Sequence, residues 1–199
     1  MGVRATRLMV IFTAFVAGLL LCLGVILFVG SRGSGTGVIQ TAAIGGPFRL
    51  IDQNGQPFSD QDLKGKTFLV FFGFTHCPDV CPTTLFEISE IMRNLGPEAD
   101  RTAALFISVD PERDTPEAMR DYLASFDPHV HGLTGDSAAL TAVAKAYRVY
   151  YKKVPLDGGD YTMDHTAIVY LMDKEGRFVS PFNMKRTAEV AAAELRKHL

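Results

Sequence analysis

Residues 68–82 read Phe68-Leu69-Val70-Phe71-Phe72-Gly73-Phe74-Thr75-His76-Cys77-Pro78-Asp79-Val80-Cys81-Pro82. The apolar run at the front predicts a buried strand, and the spacing of Leu85, Ile88, Met92 and Leu95 beyond it predicts a helix with one apolar face. Two cysteines four positions apart thus fall where a strand runs into a helix. That junction puts both sulfurs at the helix N-terminus, near enough to share one partner atom. Free amides and the macrodipole there favour thiolate over thiol. Such a pair either cycles through a disulfide or holds a soft metal.

Outward from this junction the chain alternates. Phe48–Asp52 and Gln56–Phe58 flank Asn54-Gly55, a hairpin signal, and Thr67–Phe74 is the strand before the cysteines. Ala103–Val109 reads as a buried strand followed by the loop Asp110–Asp114. Thr115 caps the next helix, with Pro116 first inside it, and that helix is expected to run to Phe126. Val130–Leu133 is a short strand, and Ser137 is expected to cap a helix ending near Tyr147. Thr166–Met172 and Arg177–Phe182 form strands around the turn Asp173–Gly176, and Thr187 opens a closing helix through Leu195. This order predicts an α/β, thioredoxin-like fold.

The chain has 199 residues and a formal net charge of −2, with a pI near 6.2, so no basic field points to nucleic acid. From Leu8 to Val29 nothing is charged, a length that spans a hydrocarbon core of ~30 Å as a helix. A cleaved signal peptide is the rival reading, but its apolar region is typically about 7–15 residues. Residues 1–29 are therefore expected to be a single transmembrane anchor in contact with membrane lipid. Arg4 and Arg7 precede the span and Arg32 alone follows closely, so the N-terminus is expected in the cytoplasm. The short leader leaves no room for an organelle transit sequence, which favours a bacterial inner membrane with the remainder periplasmic. Residues 30–44, rich in Gly and Ser, form a flexible tether reaching roughly 20 Å. Residues 45–199 suffice for one domain with its own core.

Three residues separate Cys77 from Cys81, and the chain has no Trp. Thioredoxin-type oxidoreductases place two residues between their cysteines and usually a Trp before the first. The wider spacing suits two thiolates around a metal better than a catalytic disulfide. The strand-to-helix context, the flanking prolines and an oxidising compartment argue against a purely structural bridge. His165 stands before the strand Ala167–Met172, where a thioredoxin-like sheet faces the cysteines across a cleft. Two thiolates and an imidazole make a soft three-coordinate set that suits Cu(I), with zinc chemically open.

Other candidates read as ordinary. His129 and His131 alternate and would share a strand face, which makes a second metal site the rival reading, but with no thiol or carboxylate cluster beside them they read as solvated surface imidazoles. His198 suits a helix C-terminus. His76 is expected to point away from the site and at most to tune the Cys77 thiolate. Asp164 is an outer partner or ligand, or a loop cap. Asp79 is expected to be exposed, and Asp110 and Arg113 to brace their loop. Tyr147, Tyr150, Tyr151 and Phe126 read as core and rim.

The motifs at 73–82, Val109–Thr115, Gly132-Leu133-Thr134-Gly135, Ala146–Tyr151 and Asp164-His165-Thr166 together resemble the Sco/SenC family, from about Phe48 to the C-terminus. The resemblance implies a copper chaperone for cytochrome c oxidase. It implies copper on Cys77, Cys81 and His165, as Cu(I) and also Cu(II), delivered to the binuclear site of oxidase subunit II. An upstream copper donor and a thiol reductant would then be further partners. A thiol-disulfide oxidoreductase using a redox-active Cys77–Cys81 pair on the same receiver is the alternative. A peroxiredoxin-like peroxidase ranks last, because its Thr-x-x-Cys signature is missing: Phe74 precedes Cys77 by three and Pro78 precedes Cys81 by three.

Overall fold

The computed structural model describes residues 13, 15–25, 28 and 44–199. The chain divides into two units, Met1–Thr41 and Ala42–Leu199. In the first, residues 15–25 are helical and exposed. Among the described residues no helix is long and apolar enough to cross a membrane. Both ends of the expected span, Leu8 and Val29, and the expected tether up to residue 43 lie outside the described residues.

The second unit opens with the expected hairpin. Strands β1 (Arg49–Asp52) and β2 (Pro57–Ser59) pair antiparallel, with Leu50 opposite Phe58. Gly55 takes the left-handed φ of 76° that the turn requires. The Asp52 carboxylate ties the turn by accepting from the amides of Asn54 and Gln56. Strand β3 (Thr67–Gly73) follows, buried at every residue, and leads to α1 (Val80–Leu95). The helix buries Leu85, Ile88, Met92 and Leu95, the face its spacing predicts, together with Cys81. Strand β4 (Thr102–Ser108) runs parallel to β3 and is equally buried.

Helix α2 (Pro116–Leu123) starts as expected, the Thr115 hydroxyl accepting from the Ala118 amide. It ends at Leu123, three residues short of Phe126, and Pro128 disfavours helical geometry at Asp127 beyond it. There the Asp127 amide donates to the Ser89 hydroxyl. Strand β5 (Val130–Thr134) lies parallel to β4. Helix α3 (Ser137–Ala146) is capped by Asp136 and not by Ser137. The Asp136 carboxylate accepts from the Ala139 amide at 2.7 Å, leaving Ser137 as the first helical residue.

A hairpin comes next that periodicity does not announce. Strands β6 (Tyr151–Pro155) and β7 (Tyr161–His165) pair antiparallel as a sheet of their own. Only Met163 among them is buried, so no apolar alternation marks them. Strand β8 (Val169–Met172) therefore starts later than the expected Thr166, and β9 (Phe178–Pro181) and α4 (Ala188–Arg196) complete the unit.

The main sheet has the order β2-β1-β5-β4-β3-β8-β9, parallel across β3, β4 and β5 and antiparallel at both flanks. Central parallel strands are buried on both faces and need helices to cover them. Helices α1 and α4 pack together, α2 packs against β5, and α3 meets β1. Phe71, Phe72, Phe106, Ile107 and Met119 are among the fully buried side chains. Each contributes roughly 1.5–3 kcal/mol by leaving water. The open end of this sheet, beyond Gly73 and Ser108, is where the cysteines stand.

Candidate metal centre

After Gly73 the chain turns tightly, the Cys77 amide donating to the Phe74 carbonyl at 3.2 Å. Asp79 occupies the cap position of α1 but makes no side-chain cap bond. The Cys77 sulfur takes that place, accepting from the amide of Cys81 at 3.4 Å. An otherwise orphan first-turn N–H thereby finds its acceptor in the sulfur. Both cysteines are free thiols; Cys77 is half-buried and Cys81 fully buried. Burial pushes the Cys81 thiol far up, a bond from the Phe74 backbone opposes this, and negative charge on Cys77 or Asp114 adds to the rise. A charge on Cys81 therefore needs a cation or further donors.

His165 supplies a partner from the far end of the chain. Its Nε2 lies 3.8 Å from the Cys81 sulfur. Its Nδ1 lies 3.2 Å from the Thr166 carbonyl. A carbonyl only accepts, so the proton sits on Nδ1 and the Nε2 lone pair faces the sulfur. Burial pulls the His165 pKa below the ordinary value, against the Thr166 bond and the Asp164 charge, and so keeps the ring neutral. The rings of Phe71 and Phe74 stand edge-on to the imidazole at 6.4 and 5.8 Å. Thr166 anchors the strand end through its amide to the Tyr150 carbonyl and its hydroxyl to the Tyr150 amide.

The hairpin that carries His165 is clamped to the loop after β4. The Arg113 guanidinium lies 3.7 Å above the Tyr161 ring, and its Nη1 donates to the Tyr161 carbonyl. Its Nε donates to Asp110 at 2.5 Å, and Asp110 also accepts from the Tyr161 hydroxyl. Arg113 and Asp110 thus brace their loop as expected and also fix the hairpin. In the same loop Asp114 is fully buried. It accepts from the hydroxyls of Ser108 and Thr75 at 2.6 Å each and from the Thr75 amide. Burial raises its pKa, and these bonds work against the rise. Asp114 thereby holds the segment two residues before Cys77; no sequence signal distinguished it from other loop acids.

Cys81 and His165 are brought together, and Cys77 is beside Cys81. Among the described residues no three His, Cys, Asp or Glu side chains already converge on one metal position. Asp164 is exposed within β7, paired with Lys152, so it caps no loop. His76 is exposed with its Nδ1 3.0 Å from the Thr75 hydroxyl, and Asp79 is exposed. His129 is not a solvated imidazole without carboxylates: it lies 2.7 Å from Asp127 and 3.1 Å from Asp100. The fold supplies Asp100 from the turn after α1. His131 leans on the Phe58 ring. Tyr147 is core, whereas Tyr150 is exposed.

Topology and the position of the dithiol place the domain in the thioredoxin-like class. The family model described as SCO1/SenC matches residues 36–199. The chain is 44% identical over 163 residues to the mitochondrial SCO1 homolog of Mus musculus, covering 78% of this chain and 57% of that protein. It is 42% identical over 148 residues to the SCO2-like protein RP587 of Rickettsia prowazekii, covering 73% of this chain and 72% of that one. Among solved structures, Bradyrhizobium japonicum ScoI with copper bound shares 66% identity at a TM-score of 0.77, covering 79% of this chain and all of that one. Yeast Sco1 with copper bound shares 36% identity at a TM-score of 0.72, covering 78% and 88%. The chain belongs to the SCO1/SenC family.

Proposed function

We propose that this chain is a membrane-anchored copper chaperone that loads the binuclear copper site of cytochrome c oxidase subunit II, with Cys77, Cys81 and His165 as copper ligands. The observation that carries this reading is the 3.8 Å approach of the His165 Nε2 to the Cys81 sulfur, with the Cys77 sulfur held on the Cys81 amide. Copper-bound structures of B. japonicum ScoI and yeast Sco1 support copper as the cargo. With copper bound, Cys77 would be the third ligand, its sulfur exchanging the Cys81 amide for the metal. Two soft thiolates and a neutral imidazole suit Cu(I), and loading releases the thiol protons. Cu(II) is a second state of the same set. Half-burial of Cys77 leaves that ligand accessible to an incoming thiolate, so the metal passes by stepwise ligand exchange. The apolar run 8–29 supports an anchor in a bacterial inner membrane, with residues 45–199 on the periplasmic face beside the receiver.

The proximity of two free thiols also favours a second reading, reduction of the receiver's cysteines by the same pair. Titration of the full chain carrying Cys22→Ala with Cu(I) against a chelator tests the first. It should saturate at about one equivalent, and the Cys77–Cys81 disulfide should abolish tight binding. Tight binding of two equivalents, or binding unchanged by the disulfide, removes the proposed site.

A further inference from the structure

Tyr161, Met163 and His165 alternate along β7 and so share one face of its hairpin, the face that buries Met163. At the far end of this row the Tyr161 ring takes two cations, the Arg113 guanidinium and the Lys153 ammonium, each 3.7 Å from its centroid. Asp110 and Glu112 balance them, at 2.5 Å from the Arg113 Nε and 2.6 Å from the Lys153 Nζ. The same guanidinium stands 5.9 Å from the centroid of the Phe74 ring. Phe74 in turn meets the His165 imidazole edge-on, at 5.8 Å with the planes 90° apart. A run of ring and cation contacts thus leads from Tyr161 through Arg113 and Phe74 to the imidazole.

Hydrogen bonding alone does not explain this arginine. Its Nη2 is buried without a partner among the described residues, a cost that an apolar residue would avoid. What the guanidinium gains lies against the two rings, where a planar, weakly hydrated cation is favoured. We propose that Tyr161 is a positioning residue for His165: its ring holds the Arg113 guanidinium against Phe74, and Phe74 holds the imidazole beside Cys81. The consequence for copper rests on the reading of His165 as a ligand; the placement of the imidazole does not. The Tyr161 hydroxyl has a separate task, since its bond to Asp110 at 2.9 Å fastens the hairpin to the loop. Ring and hydroxyl can therefore be tested apart.

The test compares Tyr161→Leu with Tyr161→Phe in the full chain carrying Cys22→Ala, each alone and with His165→Ala. Phenylalanine keeps the ring and loses the hydroxyl; leucine loses both. In the metal-free reduced protein, nuclear Overhauser contacts between the Phe74 and His165 rings should persist in Tyr161→Phe and weaken in Tyr161→Leu. Cu(I) affinity, from chelator competition, should fall about threefold to tenfold in Tyr161→Leu and less than about twofold in Tyr161→Phe. With His165→Ala already present, Tyr161→Leu should cost nothing more, because the group it positions has gone. Should Tyr161→Leu not fold, Arg113→Lys, which keeps the charge and loses the planar stack, takes its place with the same expected outcomes. Unchanged ring contacts in the folded variant would overturn the proposal. So would equal losses in the leucine and phenylalanine variants, which would make the hydroxyl the operative group. An effect on Cu(I) that persists undiminished beside His165→Ala would also overturn it, as a general loosening of the domain. If His165→Ala binds Cu(I) like the wild type, the ligand reading fails, and the ring contacts alone decide the role of Tyr161.

Discussion

Gly73 and Cys81 meet so closely that a Cβ on residue 73 would stand 2.7 Å from the Cys81 sulfur and 2.6 Å from the Phe106 ring. The end of β3 packs bare backbone against the buried thiol. This contact, and not the turn residues alone, sets how deep the sulfur sits beneath the surface.

Gly73→Ala should therefore displace Cys81, since Phe106 is fully buried and has little room to retreat. Overpacking of this kind costs about 1–3 kcal/mol. Denaturant unfolding should register that loss, and chelator competition should show weaker Cu(I) binding. A variant as stable as the wild type would mean the site relaxes more freely than the packing implies.

His165→Ala separates delivery from reduction. Both thiols remain, so disulfide exchange should survive, while Cu(I) affinity drops by about tenfold or more, roughly 1.4 kcal/mol. Oxidase activity in cells at limiting copper should fail in this variant as it does in Cys77→Ala, with partial rescue by added copper. Normal oxidase with His165→Ala, beside loss with Cys77→Ala, would favour the reductase reading.

Arg113→Lys keeps the charge and removes the planar stack on Tyr161 and the forked bonds to Asp110 and the Tyr161 carbonyl. The expected loss is about 1–2 kcal/mol. Amide exchange should quicken in β6 and β7 before it does in β3 or β4. Uniform quickening throughout the domain would show that the clamp is not local to the hairpin.

His129 gives a pH signature far from the cysteines. Burial lowers its proton affinity, but its bonds to Asp100 and Asp127 outweigh this and leave its pKa above the ordinary 6.5. A histidine whose folded pKa is raised stabilises fully below its unfolded value and loses that contribution as pH rises through the folded value. The stability advantage of the wild type over His129→Gln should thus be largest below pH 6.5 and fade on the alkaline side. A difference that does not vary with pH would contradict the assignment.

The β3–α1 junction was legible because its signals are local: an apolar run, a helical spacing and two cysteines within one turn. The Asn54-Gly55 hairpin was legible for the same reason. The β6–β7 hairpin was not, since its side chains are mostly exposed and its stability comes from Arg113 and Asp110, distant in the chain. Gly158-Gly159, both at positive φ in the connecting segment, was the one turn signal available. Asp136 and Ser137 are adjacent capping types, and only the backbone path decided between them.

Local pattern by itself determined the buried parallel strands and the placement of two thiols at the start of a helix, because both depend on residues a few positions apart. It also marked His165 as the imidazole most suited to join them. Only the tertiary structure decided that His165 meets Cys81 in particular and that Asp114 fastens the segment before Cys77. Those relations depend on strand register and on burial, which sets the cost of each charge. Neither is written in any short stretch of chain, because each is fixed only when segments far apart in sequence exclude water together.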